Sequence, residues 1–376
     1  MKPLEGIRVL DLTHAHAGPI CTLYLAAMGA EVLKIEPPWG EMTRAFPPLV
    51  KGVSPYFSFL NRNKKGITLN LKTPRGLEIF KELVKKADVV VENFSPGTME
   101  ELGLGWETLR TLNPRIIYAS ISGFGHTGPW SNRRSFDAIA QAASGYMWLM
   151  GESINPDGPP LLAPEAIADT IPGLTALAGI LSALIKRSKT GRGDRIDVAQ
   201  MDSMIAVLQS IGFWTMAGVT FKKALSMYDI QVSGCHRTKD GYVMISIPPG
   251  RIEEKLKEVI GLNELTWEDV EGWMAERSRD EVVELLSRAG IPVAPVLNLE
   301  EVLTNEQALA RGMILKLHSP SLGDITLPGF PIKFLEAEGD LKEPAPTLGQ
   351  HNKEVYNELL GISEAELEEL RREGII

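Results

Sequence analysis

The sequence has few cysteines, no long uninterrupted apolar run and no excess of positive charge. Two cysteines, Cys21 and Cys235, occur in 376 residues; they are too few for a disulfide framework, and their spacing fits no metal motif. Residues Met1–Gly6 lack the apolar core of a signal peptide. No later stretch approaches the roughly 18 apolar residues of a membrane span. These absences predict a cytoplasmic protein without a membrane segment.

The charge balance indicates which partners to expect. The 39 basic residues against 48 acidic ones give a net charge of −9, which disfavours non-specific binding to nucleic acid or to an anionic membrane. An anionic small ligand would therefore need a local basic patch. Arg62, Lys64, Lys65, Lys72 and Arg75 form one along the sequence. A solvated, positively charged surface is the alternative interpretation of that cluster.

The first 200 residues repeat a short apolar run, a turn rich in Gly, Pro and Asn, and a helical pattern. This order is typical of a parallel α/β sheet. The predicted strands are Ile7–Leu12, Glu31–Ile35, Ile67–Leu71, Val89–Glu92, Ile116–Ser120 and Arg195–Val198. The predicted helices are Ile20–Met28, Pro74–Lys86, Phe136–Met150, Asp169–Lys186 and Met201–Ala217. The fold class is therefore α/β, with a large parallel-sheet domain.

After about residue 222 the pattern changes to that of a smaller α+β domain. The segment Arg237–Val243 contains an Asp-Gly turn signal and predicts a hairpin. The acidic region Trp267–Leu286 predicts helix. Strands are expected at Ile325–Leu327 and Pro331–Phe334, followed by a charged helix near Glu364–Arg372.

The segment Gly123–Gly128 matches G-x-G-x-x-G and follows a predicted strand. A dinucleotide site needs the third glycine at a helix start and a second strand that ends in an acid about 20 residues later. Pro129 follows the last glycine instead, and a helical pattern occupies the place of that strand. The motif therefore favours a glycine-rich active-site loop over a nicotinamide-binding site.

Two predicted helix starts carry candidate catalytic or ligand-binding residues. Asp169 stands before a nearly all-apolar helix, where it is either an N-cap or a nucleophile. The two roles are compatible, because backbone N–H groups at a helix start stabilise an ionised carboxylate. Thr73-Pro74 reads as an N-cap followed by proline, flanked by Lys72 and Arg75. That start is either a phosphate site or an ordinary capped helix.

His14 and His16 lie two residues apart after the first predicted strand. On an extended segment they point to the same side. No third ligand with a metal-site spacing accompanies them. Pocket-lining roles are expected rather than a metal site.

Several motifs together resemble one protein family. They are Gly6–Thr13, Ala17–Pro19, Gly29–Glu36, Leu71–Pro74, Val91–Phe94, Gly123–Gly125, Thr127–Pro129 and Lys189–Gly193. Through them the chain resembles, nearly end to end, the family III CoA-transferases (CaiB/BaiF family). That group includes formyl-CoA transferase, carnitine CoA-transferase and the 2-methylacyl-CoA racemases.

The resemblance implies a fold, an assembly and a set of site residues. It implies a Rossmann-like large domain of residues 1–222 joined by 321–376, a small domain of 223–320, and an interlocked-ring homodimer. The family's nucleophilic aspartate falls on Asp169. Its coenzyme A contacts fall on His16, Ala17, Pro37, Leu69, Asn70, Leu71, Lys72, Asn93, Phe94, Ser95, Arg134, Ser135, Phe136 and Asp137.

The chain departs from the family pattern at three of the compared positions. His16 stands where the formyl-specific enzyme has glutamine, and Pro37 stands where that enzyme has arginine. Glu101 stands where many members place a basic residue that contacts the CoA phosphates. Lys72 and Arg134 are therefore the expected phosphate partners.

The resemblance also distinguishes a transferase from a racemase. Racemisation needs two bases on opposite faces of the α-carbon. Phe136 occupies the position of the racemase histidine, and Ile245–Pro249 offers no matching glutamate. The prediction is a CoA-transferase that moves CoA from an acyl-CoA to a carboxylic acid through Asp169. An acyl-CoA racemase or isomerase, and a non-catalytic acyl-CoA-binding protein, remain alternatives.

The substrates are assigned only by class. The chain lacks the run of consecutive glycines that closes over the formyl-specific site, which disfavours formyl-CoA and oxalate. The partners are expected to be an acyl-CoA and a carboxylic acid. No metal or redox cofactor is expected, because coenzyme A enters as the thioester substrate.

Overall fold

The computed structural model describes residues 1–155, 157–217 and 232–376. The chain forms two compact units. Unit 1 comprises Met1–Met150, Pro160–Gly218 and Gly312–Ile376, and unit 2 comprises Gly151–Pro159 and Val219–Arg311. The predicted domain boundary after residue 222 lies outside the described residues.

A six-stranded sheet forms the centre of unit 1. Its strands are β1 (Arg8–Asp11), β2 (Glu31–Glu36), β3 (Lys65–Thr68), β4 (Val89–Glu92), β5 (Ile117–Ser122) and β6 (Asp194–Ala199). They lie in the order β3-β2-β1-β4-β5-β6, and every neighbouring pair is parallel. The prediction of a parallel α/β sheet is confirmed. The order reverses between β1 and β4, as in doubly wound nucleotide-binding folds.

Helices cover both faces of this sheet. The helices up to residue 217 are α1 (Ala17–Ala27), α2 (Pro55–Leu60), α3 (Pro74–Val84), α4 (Thr98–Glu101), α5 (Trp106–Leu112), α6 (Asp137–Ala143), α7 (Tyr146–Ile154), α8 (Ile167–Thr190), α9 (Gln200–Ala206) and α10 (Gln209–Ala217). Side chains alternate along β4: Val89 and Val91 join the core under α1 and α8, whereas Val90 joins the core under α3 and α5. This burial on both faces explains the unbroken valine run.

The helix α8 differs from the sequence-based expectation of no membrane-length apolar segment. It has 24 residues, and its most apolar stretch has a mean hydropathy of 1.5, so by length and composition it passes the test for a span. Its residues Ala176, Leu177 and Ile180 are buried in the core that also contains α1 and the sheet. That packing is typical of the core helix of a globular protein. The predicted cytoplasmic location stays a prediction.

Other elements differ in detail from the predicted ones. The predicted helix 136–150 is two helices, because Gly145 adopts a φ of +87° between α6 and α7. The predicted helix 201–217 is interrupted at Val207 and Leu208. The segment Pro331–Phe334 forms no strand. The strand β3 ends at Thr68, which leaves residues 69–71 in the loop beyond it.

Unit 2 is built on a small antiparallel sheet. Its strands are β7 (Gly234–Arg237), β8 (Tyr242–Ile245) and β9 (Val293–Pro295), in that order. Its helices are α11 (Arg251–Ile260), α12 (Trp267–Ala275), α13 (Arg279–Arg288), α14 (Leu299–Thr304) and α15 (Glu306–Ala310). The predicted hairpin is confirmed as the β7–β8 pair.

The C-terminal segment returns to unit 1. It contains the hairpin β10 (Ile314–Ser319) and β11 (Gly323–Pro328), then α16 (Asn352–Leu360) and α17 (Glu364–Arg372). The predicted boundary at residue 320 falls inside this hairpin. Tyr356 of α16 is buried and donates to the Thr68 carbonyl oxygen at 2.7 Å, which ties the segment to the end of β3.

Candidate active site

The site lies where the strand order of unit 1 reverses. Loops that leave the carboxyl ends of β1 and β4 diverge to opposite faces of the sheet, and ligands of such folds bind in the resulting crevice. His14 and His16 follow β1, and Asn93 and Phe94 follow β4. The Asn93 side chain links the two loops, because its Oδ1 accepts from the His14 N–H at 2.9 Å and its Nδ2 donates to the His14 carbonyl oxygen at 2.8 Å.

Two cavities open at this edge of the sheet. The first, named here the polar cavity, has a volume of about 250 Å³. Its walls are His14, Ala15, His16, Ala17, Asn93, Phe94, Ser95, Pro96, Ile121, Ser122, Gly123, Arg133, Arg134, Ser135, Phe136, Asp169 and Gln200. These residues come from the loops after β1 and β4, from the end of β5 and the loop that follows it, and from the starts of α1, α8 and α9.

The second, named here the apolar cavity, has a volume of about 390 Å³. Its walls are Leu12, Thr13, His14, Ile35, Glu36, Pro37, Trp39, Gly40, Glu41, Met42, Leu69, Asn70, Leu71, Lys72, Phe94, Thr98 and Leu102. His14 and Phe94 belong to both walls, and their ring centroids lie 5.6 Å apart. The two cavities therefore adjoin at this pair of rings.

Asp169 is the buried acid of the polar cavity. Its side chain lies in the first turn of α8, 8% exposed. It is the third helical residue rather than the N-cap, which is Ala166; the N-cap interpretation was wrong. Burial, with the negative charge of Asp137, raises the pKa of Asp169 to about 7, and a hydrogen bond from Gln200 opposes that rise. Asp169 therefore changes charge near neutral pH.

Asp137 supplies the cap that the start of α8 lacks. Its Oδ1 accepts from the Ala168 N–H at 2.7 Å, and its Oδ2 accepts from Gln141 Nε2 at 2.7 Å. The bond satisfies one of the unpaired donors at the helix start. Asp137 is absent from the walls of both cavities.

A hydrogen-bonded chain of three side chains runs beside Asp169. His16 Nδ1 lies 2.9 Å from the Tyr56 hydroxyl, and His16 Nε2 lies 3.1 Å from Thr170 Oγ1. Burial lowers the pKa of His16 to about 4, so the imidazole is neutral at pH 7. Burial and the charge of Asp169 raise the pKa of the Tyr56 hydroxyl. The chain is therefore uncharged and fixes the orientation of His16.

The predicted basic patch is divided among several roles. Arg62 and Lys64 are buried, and Lys64 Nζ lies 3.0 Å from Asp11 Oδ2. Arg75 pairs with its exposed helical neighbour Glu78, and Lys65 also makes ion pairs. Neither the single ligand patch nor the solvated face was correct. Lys72 is exposed and lines the apolar cavity.

The glycine-rich loop after β5 contributes one wall residue. A Cβ atom on Gly123 would lie 2.2 Å from Ser135 Cβ, so this close approach requires glycine. The Gly125 and His126 N–H groups donate to Ser122 Oγ and Asp197 Oδ2. No helix starts at Gly128, so the loop lacks the geometry of a dinucleotide fingerprint.

The predicted coenzyme A contacts gather around these cavities. Those on the apolar cavity are Pro37, Leu69, Asn70, Leu71, Lys72 and Phe94. Those on the polar cavity are His16, Ala17, Asn93, Phe94, Ser95, Arg134, Ser135 and Phe136, together with Asp169. Glu101 is exposed at the end of α4, next to the wall residue Leu102. Their part in binding stays a prediction.

Among the polar residues that the sequence analysis missed are Gln200, which contacts Asp169, and Tyr56, which contacts His16. Gln200 begins α9 directly after β6, and Tyr56 lies in α2. Gln200 stands at the carboxyl end of a strand, which is a position where functional side chains are expected in such folds. No comparable signal marked Tyr56, because its partner His16 is 40 residues away in sequence.

The model of CoA-transferase family III matches residues 4–352. The chain belongs to this family. The membership confirms the resemblance seen in the sequence, and it confirms the prediction of an enzyme of the family III acyl-CoA:carboxylate CoA-transferase type.

Relatives of this family III chain match it over its full length. A mouse (Mus musculus) succinyl-CoA:glutarate CoA-transferase is 36% identical, with 100% of this chain and 91% of the relative covered. A Streptomyces avermitilis formyl-CoA:oxalate CoA-transferase is 35% identical, with 100% of each chain covered. The crystal structure of a CaiB/BaiF family protein from Brucella suis is similar at a TM-score of 0.82 and 33% identity, covering 95% of this chain and 99% of that one.

Proposed function

We propose that this protein transfers coenzyme A from a donor acyl-CoA to an acceptor carboxylic acid through covalent intermediates on Asp169. The position of the Asp169 carboxyl group is the observation that best supports this proposal. It is buried at a helix start, lines the polar cavity and has a pKa of about 7. A carboxylate shielded from water in this way is a better nucleophile than a hydrated one.

The first half of the reaction removes CoA from the donor. The Asp169 carboxylate attacks the thioester carbonyl carbon, the carbon–sulfur bond breaks, and CoA leaves as the thiolate. The product is a mixed anhydride between the donor acyl group and Asp169. The thiolate then attacks the aspartyl carbonyl carbon and expels the donor acid, which leaves an aspartyl-CoA thioester.

The second half reverses these steps with the acceptor. The acceptor carboxylate attacks the aspartyl carbonyl carbon and releases the thiolate, which gives a second anhydride. The thiolate attacks the acceptor carbonyl carbon, and Asp169 leaves as a carboxylate. Every step is acyl exchange at the carboxylic acid level, so the reaction requires no metal or redox cofactor.

Coenzyme A is proposed to occupy both cavities. Its thioester end lies in the polar cavity beside Asp169, and the rest of the molecule passes the His14–Phe94 pair into the apolar cavity. Lys72 at the apolar cavity and Arg134 at the polar cavity are exposed cations that suit its phosphates. Asp137 acts on this site at least through the start of α8, where its Oδ1 accepts from the Ala168 N–H.

The backbone amides of the glycine-rich loop are weak candidates for oxyanion stabilisation. The Gly125 and His126 amides already donate within the protein. Gly123 is the member of the loop that reaches the polar cavity wall.

The cavity wall also supports transfer over racemisation. Phe136 lines the polar cavity with 60% of its surface exposed and holds no ionisable proton. A racemase would need a base there. Deuterium from solvent should therefore not enter the substrate α-carbon at the rate of turnover. Rapid deuterium incorporation without CoA transfer would instead establish the racemase alternative.

Trapping with hydroxylamine tests the covalent role. The enzyme is incubated with acyl-CoA and hydroxylamine, and peptide mass spectrometry locates the hydroxamate. Asp169 should be converted and Asp137 should not, and Asp169→Asn should abolish both the modification and turnover. Turnover by an enzyme whose Asp169 stays unmodified would refute the proposal.

The substrate pair is proposed by class, as an acyl-CoA and a small carboxylic acid. Curated relatives are named for succinyl-CoA with glutarate and for formyl-CoA with oxalate. The absent glycine run favours the dicarboxylic acyl donors of the first type over formyl-CoA. A panel of acyl-CoAs tested against a panel of acids, with mass spectrometry of the CoA products, identifies the pair.

We propose that two chains form an interlocked homodimer. Apolar side chains on α8 and α9 are exposed, including Ile185 at 61% and Ile205 at 38%, and a second chain would cover such surface. Interlocked rings cannot separate without unfolding. Light scattering should therefore show a dimer that persists at nanomolar dilution, and a monomer would disprove the assembly.

A further inference from the structure

Gln200 is placed against the reacting group of the polar cavity. It is the first residue of α9, only 5% exposed, and it lines the cavity together with Asp169. Its Nε2 donates to Asp169 Oδ1. A carboxylate oxygen only accepts hydrogen bonds, so the amide must present its N–H to it.

The hydrogen bond distinguishes the two oxygens of Asp169. Oδ1 is held by Gln200, which leaves Oδ2 as the atom that attacks the donor thioester. After that attack Oδ2 bridges the two carbonyl carbons of the anhydride, and Oδ1 becomes the aspartyl carbonyl oxygen. Gln200 then faces the oxygen on which negative charge develops when a nucleophile adds to the aspartyl carbon.

We infer that the Gln200 side-chain amide is the oxyanion donor for both reactions at the aspartyl carbonyl of Asp169. In the first, the CoA thiolate adds to the anhydride carbon, the carbonyl electron pair moves to Oδ1, and collapse expels the donor carboxylate with Oδ2. In the second, the acceptor carboxylate adds to the thioester carbon, Oδ1 again takes the charge, and collapse expels the thiolate. The inference rests on the proposed function.

The local structure keeps this donor in position. Gln200 follows directly on the last strand of the sheet, and the next turn of α9 is fixed by the Ser203 hydroxyl, which donates to the Ala199 carbonyl oxygen at 2.8 Å. A donor that is preorganised in a buried site needs no reorientation as charge develops, and the loss of one such donor costs about 10²- to 10³-fold in rate.

A chase experiment isolates the step that Gln200 serves. The enzyme is first incubated with donor acyl-CoA until aspartyl-CoA forms, then freed of small molecules and mixed with an acceptor acid. The decay of the adduct is followed by intact-protein mass spectrometry. In Gln200→Leu the decay should slow by about 10²- to 10³-fold, whereas CoA affinity should stay within about threefold of wild type. Thr111→Ala, which removes an exposed side-chain hydrogen bond on α5 and lies outside both cavity walls, should decay at the wild-type rate.

A second variant separates an oxyanion donor from a residue that only fills space. Gln200→Glu keeps the size of the side chain but presents a hydrogen to Oδ1 only when protonated. Its chase rate should therefore rise as the pH falls, whereas the wild-type adduct, in which residue 169 is a thioester and cannot ionise, should show no such rise. It also provides the test if Gln200→Leu does not fold.

The outcomes separate the two proposals. If the wild-type protein forms no adduct on Asp169, the proposed function fails. If the wild-type adduct forms, but Gln200→Leu decays within about threefold of the wild-type rate, or the Gln200→Glu rate does not rise on acidification, the role of Gln200 is refuted while the covalent mechanism stands.

Discussion

The side chain of Asn93 makes reciprocal hydrogen bonds with the backbone of His14, at 2.9 Å to its N–H and 2.8 Å to its carbonyl oxygen. The bonds join the loops that follow β1 and β4, at the point where the strand order reverses. The next residue, Ala15, has a φ of +59°, an unfavourable conformation for a residue with a Cβ atom. Asn93 therefore holds in place a strained loop that forms part of both cavities.

Removing the Asn93 side chain should loosen this loop. In Asn93→Ala two hydrogen bonds are lost, each worth about 1 kcal/mol, so affinity for acyl-CoA should fall by about tenfold or more. Isothermal titration with a non-reactive acyl-CoA analogue measures the loss. Asn357→Ala, an exposed change on α16, serves as the control. Unchanged affinity in Asn93→Ala would show that the loop holds its shape without this link.

The activity should depend on pH through Asp169. Its pKa of about 7 lies above the usual value because of burial and the nearby Asp137, and only the ionised form attacks. The value of kcat/KM should therefore rise with pH through about 7 and level off above it. A profile that is flat between pH 5 and 8 would contradict the assignment.

Changing the neighbour of Asp169 should move that profile in a known direction. Asp137→Asn removes a negative charge but keeps an acceptor for the Ala168 N–H, so the rise should shift to lower pH. Glu107→Gln, which neutralises an exposed carboxylate on α5, should leave the midpoint unchanged. A shift in Asp137→Asn to higher pH would mean that another group controls the rise.

The contribution of Lys72 to acyl-CoA binding can be compared with that of Arg75, a cation three residues away. Lys72 is exposed at the apolar cavity, whereas Arg75 is paired with Glu78. Lys72→Ala should weaken acyl-CoA binding by about threefold to tenfold at low salt, and the difference should shrink as ionic strength rises. Arg75→Ala should bind as the wild-type protein does. Equal losses of acyl-CoA affinity in both variants would indicate a general effect of positive charge on this surface rather than a contact between Lys72 and a phosphate.

The buried ion pair between Lys64 and Asp11 should be required for stability. Lys64 Nζ also donates to Thr22, Asn61 and the Pro19 carbonyl oxygen. Burial by itself would raise the pKa of Asp11, but the charges of Lys64 and Lys34 hold it well below its usual range. Lys64→Met leaves Asp11 buried without this partner, which should lower the free energy of unfolding by about 3–5 kcal/mol.

A double variant provides the control for that prediction. Adding Asp11→Asn to Lys64→Met removes the unpaired charge, so chemical denaturation should show a loss smaller than the sum of the two single losses. Additive losses would indicate that the ion pair itself contributes little.

Much of the framework follows from local sequence pattern. Short, mainly apolar runs separated by helical periods predicted all six strands of the large sheet. The signal is clearest in β4, which is buried on both faces, whereas the half-exposed β6 alternates charged and apolar residues. Thr73-Pro74 predicted the start of α3, and the structure confirms it: Thr73 Oγ1 accepts from the Gly76 N–H at 3.0 Å. A local hydrogen bond of this kind depends only on neighbouring residues.

Other features could not be predicted from local pattern. Lys64 looked like a surface cation, but its partner Asp11 lies 53 residues away. Gln200 belongs to no recognised sequence motif. Its contact with Asp169 arises because β6 places α9 beside the start of α8. Local sequence pattern depends on residues that are close together in the chain, so it does not predict contacts between residues that are far apart in sequence.

The sequence by itself determined the parallel α/β framework, the family and the identity of the candidate nucleophile. Each strand and each family motif consists of residues that are adjacent in sequence, so each can be recognised without the tertiary structure. The tertiary structure alone decided the state of that nucleophile. Whether a carboxyl group is charged depends on its desolvation and on charges and donors brought to it from elsewhere in the chain. For Asp169 these are burial, Asp137 and Gln200, which only the folded chain assembles.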